Sequence, residues 1–86
     1  GARPALEAAD ALRQIFTQKG YTLTFESPTN QVFVTLENSF VEKLREIAEF
    51  SFWGPADGTH TIVRFATSWA TDLSRIKEFG EKLPVI

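Results

Sequence analysis

The chain has 86 residues, 43% of them hydrophobic and 23% charged, which is one globular domain at most and near the lower size limit for folding alone. Nine Lys and Arg against eleven Asp and Glu give a net charge of -2, so neither nucleic acid nor an anionic membrane is an expected partner; both need a basic patch. The absence of cysteine excludes disulfides, thiolate catalysis and cysteine metal sites, and a single His excludes a His-rich one.

Pro4 suits the first turn of a helix, where its missing N–H costs nothing. Leu6, Ala9, Leu12, Ile15 and Phe16 then recur at three- and four-residue steps, and Gly20 after Lys19 closes the element, so a helix is predicted over 4–19. Tyr21, Leu23 and Phe25 alternate with Thr22, Thr24 and Glu26 as a half-buried strand. Ser27-Pro28-Thr29-Asn30 is a turn, and the apolar, β-branched run Gln31–Leu36 is a second, more central strand.

Asn38 or Ser39 is the expected N-cap of a helix with Phe40, Val41, Leu44, Ile47 and Ala48 on one face. Glu42, Lys43, Arg45, Glu46 and Glu49 form its solvated face. Phe50–Trp53 is a short third strand, residues 54–58 a Gly- and Pro-bearing loop, and Thr61–Ala66 a fourth strand. After a connector over Thr67–Ala70, Thr71 or Asp72 caps a last helix with an apolar stripe of Leu73, Ile76, Phe79 and Leu83. Gly80 weakens that helix and Pro84 ends it. The order α-β-β-α-β-β-α predicts an α+β fold, with about four strands in an antiparallel or mixed sheet and helices on one face. No apolar run approaches the ~20 residues of a membrane span and no signal-peptide pattern opens the chain, so a soluble, cytoplasmic protein is expected.

Few residues could carry chemistry. His60 stands alone between Thr59 and Thr61, where a structural or solvated role is the default reading. Lys19, Lys43, Lys77 and Lys82 fall on helix surfaces or ends, without the burial a Schiff-base lysine needs. Phosphate-binding glycine patterns are missing, and no catalytic residue, cofactor-binding residue or metal ligand is assigned. Arg64 differs, because its guanidinium sits mid-strand in Ile62-Val63-Arg64-Phe65-Ala66. A planar fork on a rigid strand can grip a carboxylate with two hydrogen bonds. The competing reading is an exposed Arg on an uncovered face, or one paired within the domain to a carboxylate such as Glu26. Trp53 and Trp69 adjoin strand ends and fit interface anchors or core residues equally well.

Three stretches together resemble a known family: Ser27–Phe33, then Phe52-Trp53, then Val63-Arg64-Phe65-Ala66-Thr67-Ser68-Trp69-Ala70-Thr71. In this order and spacing they are similar to the C-terminal small domain of low-specificity threonine aldolases and related β-eliminating lyases. Those are pyridoxal-phosphate enzymes of the aspartate-aminotransferase fold type. The resemblance implies that residues 1–86 form one small domain of a longer enzyme, in keeping with a chain that opens on Gly1 without an initiator Met. It implies that Arg64 binds the α-carboxylate of the amino-acid substrate. It also implies that pyridoxal phosphate is held by the large domain of the same polypeptide, which is the chain's main partner, in a homodimeric or homotetrameric parent. Thr71 lacks the Glu three residues on that often completes the family's capping box; Ser74 stands there. The alternative is a stand-alone, ferredoxin-like ligand-binding or regulatory module.

Overall fold

The computed structural model describes residues 3–26, 29–66 and 72–86, with the side chains of residues 3–6 and 66 outside that description. The element order is α1 (Arg3–Gln18), β1 (Thr22–Leu23), β2 (Gln31–Glu37), α2 (Asn38–Arg45), β3 (Ser51–Pro55), β4 (His60–Ala66) and α3 (Leu73–Lys82). The strands form one antiparallel sheet in the order β1-β2-β4-β3, so the fold is the expected α+β arrangement.

Alternation along β2 and β4 separates the two faces of this sheet. Val32, Val34 and Leu36 of β2 share a face with Val63 and Phe65 of β4, and all five are fully buried. Ala8, Ala9, Leu12 and Phe16 of α1, Leu44 of α2 and Ile76 and Phe79 of α3 close over them in a single core with Leu83. Phe16 is its hub, with ring centroids 5.3 Å from Phe65, 5.5 Å from Tyr21 and 5.6 Å from Phe79. Gly80 has a use the sequence did not suggest. A Cβ there would lie 3.1 Å from Ile15 Cδ1, so the missing side chain lets α1 and α3 approach closely.

Gly20 ends α1 at φ +93°, the left-handed conformation expected of a helix-terminating glycine. The last residues fold back onto it: Ile86 N–H donates to the Lys19 carbonyl at 2.9 Å, Lys19 Nζ to Leu83 O at 2.6 Å, and Tyr21 Oη to Pro84 O at 2.7 Å. Burial raises the Tyr21 pKa, keeping that donor protonated.

Several boundaries differ from the sequence expectation. β1 is only Thr22–Leu23, in register with Thr35 and Val34 of β2; Thr24 N–H still donates to Phe33 O at 3.0 Å, but Phe25 leaves the expected row and stands 46% exposed. The N-cap of α2 is Glu37, without a side-chain cap, and neither Asn38 nor Ser39 takes that place. Asn38 is instead bound to the neighbouring hairpin, its N–H to Thr59 O at 2.9 Å and its Oδ1 to Thr61 Oγ1 at 2.6 Å. α2 ends at Arg45, before Ile47 and Ala48, although both still pack on the core. Asp72 caps α3, accepting from Ser74 N–H at 2.9 Å, while Leu73 is 53% exposed and drops out of the predicted stripe. The Ser27-Pro28 part of the turn, the Thr67–Ala70 connector with Trp69, Thr71 and the side chain of Leu6 lie outside the described residues.

Candidate functional site

The sheet face turned away from the helices holds the site. Arg64 sits mid-β4 with Phe33 of β2 and Ser51 of β3 as its register partners, which puts all three on that face. Phe33 is only 9% exposed although it stands on the face away from the described helices. Two other rings pack against it, Phe25 at 5.1 Å and Trp53 at 5.0 Å between centroids, both edge-to-face. Trp53 reaches this position through a β-bulge between Phe52 and Gly54 in β3.

Arg64 packs against this aromatic row, its Cζ 5.2 Å from the centre of the Trp53 ring, within cation–π range. Its Nε is buried and has no hydrogen-bond partner. Among the described residues no ion pair joins Arg64 to a carboxylate, so the alternative pairing with Glu26 does not occur. The guanidinium is thus held against an aromatic ring without a carboxylate partner among the described residues. Its planar, two-pronged donor edge matches a carboxylate.

The other sequence candidates lie elsewhere. His60 is four residues along β4, roughly 13 Å at the usual strand rise. Its Nδ1 is 2.8 Å from Thr59 Oγ1 and 3.0 Å from Asp57 Oδ1, a local cluster in the β3–β4 hairpin. The Thr59 N–H, donating to Asp57 at 2.8 Å, and the His60 ring hold the Asp57 carboxyl down to about 2. A groove of about 420 Å³ beside this hairpin is lined by Tyr21, Thr35, Phe40, Lys43 and His60 and does not include Arg64. Among the described residues no hydroxyl and carboxylate flank His60 in a relay; both of its partners meet the same nitrogen, which is turn chemistry.

The lysines do not suit a Schiff base. Lys43, Lys77 and Lys82 are exposed, Lys82 pairing with Glu78 at 3.0 Å, and Lys19 is spent on the Leu83 carbonyl. The described residues of this chain therefore do not fit a role in holding pyridoxal phosphate. They also include no group of three or more His, Asp or Glu able to hold a metal ion, and no helix long and apolar enough to cross a membrane.

Sequence reasoning found Arg64 and Trp53 but missed Phe33 and Phe25 as their neighbours. The signal was present in Val32-Phe33-Val34, where an unbroken apolar run means that both faces of the strand are covered.

The class defined by fold and site is a small α+β domain whose described helices cover one sheet face and whose other face bears an arginine without a carboxylate partner among the described residues. A part of threonine aldolase from Leishmania major has a similar fold: the two superpose with a TM-score of 0.80 at 28% identity. The match covers 90% of this chain and 22% of that one, so this chain spans about a fifth of the enzyme's length. No protein-family model and no curated protein sequence matches.

Proposed function

We propose that this chain is the C-terminal small domain of a pyridoxal-phosphate-dependent amino-acid aldolase or lyase, and that Arg64 binds the α-carboxylate of the substrate. The observation that carries the reading is the Arg64 guanidinium, carried by a central strand, set over the Trp53 ring and without a carboxylate partner among the described residues. The likeness to part of a threonine aldolase supports it. In this reading the cofactor belongs to the large domain of the same polypeptide, which covers the bare sheet face, and these residues are inactive alone.

The role of Arg64 follows from its chemistry. A guanidinium stays protonated throughout the physiological range, so it neither gives nor takes the proton of a reaction. Two parallel N–H···O bonds to a planar carboxylate fix both the position and the roll of the ligand. Arg64 thus contributes binding and orientation, which convert directly into rate when the reacting bond must be held in one geometry.

The test uses the complete polypeptide in which these residues occur. Its visible absorption is expected to be that of a pyridoxal-phosphate protein. Arg64→Ala should weaken amino-acid binding by about a hundredfold, the worth of two charge-assisted hydrogen bonds, with the cofactor absorption unchanged. A protein that neither contains pyridoxal phosphate nor binds amino acids would overturn the reading and leave the stand-alone binding module in its place.

A further inference from the structure

We infer that Trp53 is the positioning residue for Arg64, holding the guanidinium so that its two Nη groups, and not Nε, meet the ligand carboxylate; this rests on the carboxylate-binding reading above. The first ground is how Trp53 arrives. Phe52 pairs with Val63 and Gly54 with Ile62, so Trp53 is the extra residue of the bulge, inserted between those two pairs, and the centre of its ring lies 5.2 Å from Arg64 Cζ. In an unbulged strand it would stand opposite Ile62, one step further from the arginine.

The second ground is that the ring is held in place. Trp53 meets Phe33 edge-on at 67°, and Phe33 meets Phe25 at 71°, so the indole is one end of a three-ring row and not a loose surface group. Trp53 is nevertheless 50% exposed, much for a ring whose purpose is core packing.

The third ground is the state of Nε. It is enclosed and unpartnered, which leaves the Nη end as the part of the fork that a ligand from outside can reach. An arginine already stacked on a ring has given up much of its rotamer freedom before the ligand comes, and that freedom is not lost again on binding.

The experiment compares two ligands and three variants in the complete polypeptide. L-threonine is titrated calorimetrically beside threoninol, which has a hydroxymethyl group where threonine has its carboxylate. Trp53→Leu keeps apolar bulk and removes the ring; it should weaken L-threonine about fivefold, about 1 kcal/mol, and leave threoninol unchanged. Trp53→Phe restores a ring face and should stay within about twofold of the parent. An equal loss for both ligands, or no loss for L-threonine, overturns the inference. Arg64→Ala separates the two readings. If it abolishes the preference for L-threonine and Trp53→Leu does not reduce it, the Arg64 assignment stands and the Trp53 role falls. If Arg64→Ala leaves the preference intact, the carboxylate reading fails and takes this one with it.

Discussion

The two faces of the sheet are built from the same strands and do different things. Toward the helices, Val32, Val34, Leu36, Val63 and Phe65 are sealed from water and meet side chains from all three helices. Away from them, Phe33, Trp53, Ser51 and Arg64 have none of the described helices above them, and Phe33, Trp53 and Arg64 pack on one another. A residue on the first face is tied to stability. A residue such as Arg64 on the second, half-exposed and with an unpartnered Nε, is expected to change with less effect on stability.

That contrast can be broken by mutation. Phe65→Ala removes a ring shared by Phe16, Phe50 and Phe79 and should cost about 3–5 kcal/mol, enough to unfold much of so small a domain; urea titration followed by far-UV circular dichroism reads it. Gly20→Ala should cost about 1–2 kcal/mol in the same assay. It forces a Cβ into a left-handed position and to within 2.6 Å of the Ile86 carbonyl oxygen. Arg64→Met lies on the other face, and there the expected change is within about 1 kcal/mol in either direction. The methionine keeps the apolar stem and deletes a buried, unpartnered N–H. A loss at Arg64 as large as that at Phe65 would mean that the bare face is structural after all.

The smallest effect concerns the hairpin. Asp57 has its carboxyl lowered to about 2 by the Thr59 N–H and His60, so its folded value lies below the ordinary 3.8. The linked stabilisation is therefore present above pH 4 and is lost as the pH falls from about 4 through 2. Carboxyl carbon shifts should place the Asp57 midpoint near 2, and Thr59→Pro, which removes the N–H donor, should move it upward.

Much of this was legible in the sequence because each element declares itself by period: α1 by its three- and four-residue steps, β4 by Val63 and Phe65 alternating with Arg64. Arg64 was legible for the same reason, as a charge at the centre of an apolar strand. The aromatic row was not. Its three rings come from positions 25, 33 and 53, and what unites them is strand register and one bulge, neither of which a local pattern encodes. Asn38 misled for a related reason: a good capping residue by type, it is bound by its N–H and side chain to a hairpin more than 20 positions away.

The bulge in β3 has one more consequence, for the rim of the sheet. An open sheet in the order β1-β2-β4-β3 has two outer strands, and an outer strand is a template on which another chain can add itself. Here one is two residues long, and the other is kinked at Trp53 and ends at Pro55, which has no N–H to offer. Lateral growth of the sheet is blunted on both sides. On the reading proposed above, the ligand comes down onto the face that bears the arginine and not along this border.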